Sequence, residues 1–181
     1  ISWDNKIYIF DKKYLFNSLE EAKNVPPLSE AIKVLEFPRQ KRKPFRCIAD
    51  FFANDRLDVI AFTLASAGLK ISDYERSLYD KGEFTKYYQV HGLGVELAEA
   101  LAEVLHKQIR LDLDIVPKEG HTLNDVQMKQ YVGCRYSPGY AACPELSQNR
   151  DIFDLLNPEE FGIELSETFQ MHPEQTTCAI V

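Results

Sequence analysis

The chain has 181 residues, 45% of them hydrophobic and 27% charged, which suits one well-buried domain or at most two small ones and is unlike a disordered chain. Its formal charge of −7 is uneven, with 17 basic and 16 acidic side chains in residues 1–111 against 4 and 12 in residues 112–181. That balance argues against a nucleic-acid binder, whose affinity comes from Lys and Arg at phosphates. No apolar run approaches the roughly 20 residues of a membrane helix.

Taken in chain order, Ile7 to Phe10 read as a short strand. Ser18 and Glu21 have capping-box spacing for a helix that Pro26 and Pro27 stop. A second helix is predicted from Ser29 to Glu36, ended by Pro38, and two extended runs follow, Phe45 to Phe52 and Asp58 to Ala65. Ser72 and Glu75 form another capping-box pair opening a helix through about Tyr79. The clearest element is a long amphipathic helix over about 92–111, with Ala98, Leu101, Ala102, Leu105 and Ile109 as its apolar stripe and Glu96, Glu103, Lys107 and Arg110 mostly off it. Pro117 to Gly120 read as a loop, residues 123–130 as a polar helix, and Tyr131 to Pro144 as an ordered loop. Asn149 is placed as cap of a helix over Asp151 to Leu156, and Asn157-Pro158 as an N-cap and first helical residue. Ile163, Leu165, Phe169 and Met171 alternate as strands do, and Thr176 to Val181 suits one more strand. The fold class is therefore α+β, a single domain over 1–181 with antiparallel strands and several helices.

Four scattered cysteines, Cys47, Cys134, Cys143 and Cys178, include no C-x-x-C pair and point to a reduced, cytoplasmic protein rather than a zinc or redox site. Ile1 and the apolar close at Val181 read as cut ends of a longer polypeptide. The basic run Arg39, Lys41, Arg42, Lys43 and Arg46 suits a solvated loop or a dock for an acidic partner. His91, His106, His121 and His172 are scattered and read as packing or surface residues. No nucleophile–base pair, P-loop or G-x-G-x-x-G occurs, so no catalytic or metal residue is assigned.

The richest stretch for chemistry runs from Gly133 to Tyr140. Arg135 offers a planar fork of donors for a carboxylate, Tyr136 and Tyr140 offer faces for a ring, Pro138 stiffens the approach, and Gly139 permits a positive φ or a close backbone approach. The same residues also suit a rigid surface loop whose Arg135 pairs with a neighbouring acid.

Arg135-Tyr-Ser-Pro-Gly-Tyr140, continuing Ala-Ala-Cys-Pro-Glu145, resembles the Arg-x-x-x-Gly-Tyr motif of the activation domain of cobalamin-dependent methionine synthases. Lys86 through His106 resembles that family's long helix, Phe45 to Phe52 an earlier segment, and Gly162 to Met171 with Pro173 to Thr177 its closing strands. The resemblance covers roughly residues 37–181, in order, with residues 1–36 poorly matched. It implies a domain or subunit of a methyltransferase that makes methionine, not catalytically complete by itself. Its role would be to bind S-adenosylmethionine as methyl donor for reductive remethylation of oxidised cobalamin. It also implies S-adenosylmethionine contacts at Arg135, for the carboxylate, along Tyr136, Ser137, Pro138 and Gly139, for the adenine, at Tyr140 beside them, and at Glu99, near the charged end. Cobalamin would be bound by another domain or subunit, and the electron would come from a flavodoxin-like or diflavin reductase. Where the family carries an acid six residues before the motif arginine, this chain has Lys129. That substitution motivates an alternative, a non-catalytic ligand-binding or interaction module that has lost tight S-adenosylmethionine binding.

Overall fold

The computed structural model describes residues 1–115 and 132–181. Lys129, His121, and the loop and helix predicted within 117–130 lie outside the described residues.

β1 (Ser2–Trp3), β2 (Lys6–Ile9) and β3 (Lys33–Glu36) form an antiparallel sheet in which Ile7 faces Leu35. Ile7, Ile9 and Leu35 alternate inward and are buried, as the period of a strand dictates. The helix predicted over Ser29–Glu36 is thus corrected. Only a turn of 3-10 helix at Leu28–Glu30 forms, and the rest pairs with β2. Four residues are too few to separate the two periods, and the edge of β2 decides between them. Upstream, α1 (Leu19–Ala22) is capped by Ser18, whose Oγ accepts the Glu21 N–H at 3.2 Å, while Glu21 reaches the N–H of Asn17.

The extended run predicted over Phe45–Phe52 is also corrected. It contains a 3-10 turn at Ile48–Phe51, because Asp50 Oδ2 accepts the Cys47 N–H at 3.0 Å and closes the chain on itself.

β4 (Phe62–Ser66) pairs antiparallel with β7 (Thr176–Ile180), Leu64 opposite Cys178. Between them in sequence, α2 (Leu69–Asp80) and α3 (Phe84–Asp112) make an antiparallel helical pair, and α3 lies against both β4 and β7. α2 begins three residues before Ser72, after Gly68 at φ +84°, so Ser72 is not its cap and Glu75 is free to turn inward. α3 is longer than its predicted 92–111 span, because its two early glycines do not end it. A Cβ at Gly94 would stand 2.8 Å from Gln175 Cγ, so the missing side chain is what lets the helix pack there. The buried seam of α3 differs from the predicted stripe. It consists of Gly94, Ala98, Ala102, His106 and Arg110, at steps of four, while Leu101 and Leu105 stay more than a third exposed. Small residues win the seam because they let the helix sit close to the strands.

α4 (Gln148–Leu156) includes Asn149 within its first turn rather than as its cap. Asn149 is 1% exposed, donating to the Phe169 carbonyl at 2.9 Å and accepting from the Cys178 thiol at 3.1 Å. Its side chain is therefore engaged in the core. Asn157, in the left-handed region at φ 50°, turns the chain into the 3-10 helix Pro158–Phe161. β5 (Glu164–Leu165) and β6 (Met171–His172) pair as a short hairpin.

The core joins these layers through Phe37, Ile48, Ile152 and Ile180, with the three thiols Cys47, Cys143 and Cys178 among them. Burial pushes the Cys143 thiol up to about 11 and the Cys178 thiol up to about 12, so both stay protonated and inert. No helix among the described residues is long and apolar enough to cross a membrane.

Candidate functional site

The loop after residue 132 is pinned to β7 at one point. Tyr136 and Ile180 exchange both backbone hydrogen bonds at 2.9 Å, which adds Tyr136 to the edge of the sheet and sets the direction of its neighbours. Beyond it the chain turns sharply. Gly139, at φ +91°, donates to the Cys143 carbonyl at 2.8 Å, and Cys143 donates to the Tyr140 carbonyl at 2.9 Å. A side chain at Gly139 would meet both a disfavoured backbone region and Leu146 Cδ1 at 3.1 Å.

This pinning delivers Arg135 to the side of α3. Its Nη2 lies 2.8 Å from Glu103 Oε1 and 3.8 Å from Glu99 Oε2, and its side chain is only 18% exposed. Its Nη1 is buried and has no hydrogen-bond partner among the described residues. A buried cationic donor without a partner is costly, and an anionic or polar group placed beside it would be favoured. Arg135 thus pairs with neighbouring acids, as a rigid surface loop would have it, and keeps one buried donor without a partner among the described residues.

Two adjoining clefts meet here. One, of about 470 Å³, is lined by Glu99, Arg135, Tyr136, Ser137, Tyr140 and Thr177 among others. The second, of about 710 Å³, shares Glu99, Ser137, Tyr140 and Thr177 and adds Pro138, His172 and Glu174. Each falls within the roughly 300–1,000 Å³ of a small-molecule site. Of the residues singled out in the sequence, Glu99, Arg135, Tyr136, Ser137 and Tyr140 come together in the first cleft, and Pro138 lies in the second. Gly139 lines neither and acts on the turn. Burial, with the Cys134 thiol alongside, raises the Tyr136 phenol above its ordinary value and keeps it neutral. Tyr140 is 71% exposed, a ring with an open face.

The family model described as "Vitamin B12 dependent methionine synthase, activation domain" matches residues 17–181. The chain belongs to this family. The activation domain is 40% identical to methionine synthase of Mycobacterium tuberculosis (strain ATCC 25618 / H37Rv) over 158 residues, covering 80% of this chain and 13% of that protein. It is 39% identical to methionine synthase of Mycobacterium leprae (strain TN), with the same coverage. The chain therefore spans about an eighth of the length of these curated relatives. A crystal structure of the MetH reactivation domain bound to AdoHcy superimposes with a TM-score of 0.80 at 26% identity, over 97% of this chain and 53% of that one.

Two features of the activation domain escaped the sequence reading. The sequence puts Glu103 mostly off the apolar stripe, yet among the described residues it is the acid nearest Arg135. Its four-residue step from Glu99 was the available signal. The second is a buried polar cluster where α2, α3 and the approach to β7 meet. The His91 ring Nδ1 lies 2.8 Å from Glu75 Oε1, the Gln175 amide donates to Glu75 Oε2, and the Tyr87 ring stacks on His91 with centroids 6.1 Å apart. No local pattern announces this cluster, because its members are 16 and 84 residues apart.

Proposed function

We propose that residues 1–181 act as one activation-domain unit of a cobalamin-dependent methionine synthase that binds S-adenosylmethionine in the cleft between α3 and the Gly133–Tyr140 loop. The observation that carries the reading is the buried Nη1 of Arg135 at the wall of that cleft, without a partner among the described residues, in a chain similar to a solved reactivation domain bound to AdoHcy. Arg135 takes the ligand's carboxylate. Glu99, 56% exposed on the same wall, meets its cationic end, and Tyr136, Ser137, Pro138 and Tyr140 frame the adenosyl group. Such a ligand, when bound, supplies an electrophilic methyl group. The chain's own contribution is orientation, which governs transfer to an acceptor brought by another domain.

The acceptor is cobalamin on a separate domain or subunit, and the remethylation is reductive, with the electron coming from a flavodoxin-like or diflavin reductase. The loop at residues 39–46 suits such an acidic donor. Arg39 is engaged by Asp4 and Asp50, while Lys41, Arg42, Lys43 and Arg46 form no ion pair among the described residues.

Isothermal titration with S-adenosylmethionine and S-adenosylhomocysteine tests the reading. Saturable one-to-one binding is expected, weakened about 100-fold or more by Arg135→Ala, with little change in the urea midpoint. An equal loss of stability in that variant would make the arginine structural. A folded wild-type chain that binds neither compound would favour the non-catalytic module.

A further inference from the structure

We infer that Glu103 is a positioning residue that aims Arg135 at the ligand's carboxylate and leaves Glu99 for the ligand's cationic end; this rests on the adenosyl reading above. Two carboxylates four residues apart on α3 approach the same guanidinium at unequal range, Glu103 at 2.8 Å and Glu99 at 3.8 Å. The nearer acid is also the less accessible, 26% exposed against 56%.

A guanidinium is a rigid planar fork, so anchoring one Nη fixes where the other points. With Nη2 on Glu103, the buried Nη1 is the donor without a partner among the described residues. It is directed by the ion pair rather than by any ligand. Both ends of the pair stand on fixed backbone. Glu103 lies in the interior of α3, and Arg135 precedes Tyr136, which exchanges two hydrogen bonds with Ile180. The side chain is thus ordered before a ligand arrives, and the cost of immobilising a long arginine is not charged against binding. Glu99, at the longer distance and facing both clefts, keeps its carboxylate accessible.

The test uses two probes on the full chain. S-adenosylhomocysteine carries both carboxylate and ammonium. 5′-Deoxy-5′-(3-aminopropylthio)adenosine keeps the ammonium and lacks the carboxylate. Calorimetry with wild type, Glu103→Gln and Glu99→Gln, with thermal unfolding alongside, reads each acid's role separately. Glu103→Gln is expected to weaken S-adenosylhomocysteine about tenfold, the size of one charge-assisted hydrogen bond. It should change the carboxylate-free probe less than about twofold, because the altered group then has no partner to miss. Glu99→Gln is expected to weaken both. A Glu103→Gln variant that weakens both probes equally, weakens neither, or loses affinity only in step with its unfolding midpoint overturns the positioning role. Wild type binding neither probe overturns the adenosyl reading itself, and the role of Glu103 with it.

Discussion

The Glu75–His91–Gln175 cluster and the Arg135–Glu103–Glu99 cluster both use α3, where about 18 Å of helix rise separates His91 from Glu103. In the first, the Glu75 side chain is 7% exposed and both its oxygens are engaged, one by His91 and one by Gln175. In the second, Arg135 is 18% exposed, Glu99 is 56% exposed, and a buried guanidinium nitrogen lacks a partner among the described residues. The difference lies in the charged groups: both Glu75 oxygens are engaged from within, and the atom left over among the described residues is the neutral Gln175 Oε1, whereas in the second cluster it is a donor on a cation that faces a cleft. A buried carboxylate satisfied from within ties elements together, here α2, α3 and the start of β7. A cation left with a free donor beside a cleft is poised for something outside the chain. Ion pairing by itself therefore does not mark a binding site.

The contrast makes opposite demands on the two clusters. Glu75→Ala should cost about 2–3 kcal/mol of stability, since it leaves the buried Gln175 amide and the partly buried His91 ring without their acceptor. Urea unfolding checks this, and the affinity of the folded protein for S-adenosylhomocysteine should stay within about threefold. A variant with normal stability and lost binding would reverse the assignment.

A smaller effect is expected at Gly94, where a methyl group meets Gln175 Cγ at 2.8 Å and Ile71 Cγ2 at 3.2 Å. Overpacking of this kind costs about 1–3 kcal/mol, against about 1 kcal/mol of helix propensity gained by Gly94→Ala. The net is a destabilisation of about 1 kcal/mol, the reverse of what propensity predicts for an exposed helical glycine. Thermal unfolding gives the sign.

The smallest effect belongs to a third and most exposed cluster, Arg39 with Asp4 and Asp50. The Cys47 N–H, and after it the Arg39 guanidinium, hold the Asp50 carboxyl below its ordinary value. A depressed folded-state value means that the contribution is present above the unfolded value and lost as pH falls through the folded one. Thermal midpoints of wild type should therefore drop more steeply below about pH 4 than those of Asp50→Asn. Solvent screening of so open a pair keeps the difference small. A pH-independent difference would remove the ion pair from the stability argument.

The candidate site was more legible in the sequence than the fold around it. Residues 135–140 are contiguous, and their types carry their chemistry with them: a fork of donors, two rings and a glycine that the turn requires. The fold depended on choices that short segments do not make alone. Lys33–Glu36 became a strand only because β2 offered an edge, and Phe45–Phe52 closed into a turn because Asp50 could reach the Cys47 N–H. The leucines that dominate the pattern of α3 yielded the seam to Gly94, Ala98 and Ala102, since contact with β4 and β7 rewards closeness over bulk.

By itself, then, the sequence determined the long helix, the closing strand and the composition of the cleft loop, because periodicity and turn chemistry act over a few neighbouring residues. The tertiary structure decided which acid meets Arg135, which of its nitrogens stays without a partner among the described residues, and that the partly buried His91 joins the buried Glu75 and Gln175 in one cluster. Those outcomes depend on distances between residues far apart in the chain, and only packing brings such residues within hydrogen-bond range.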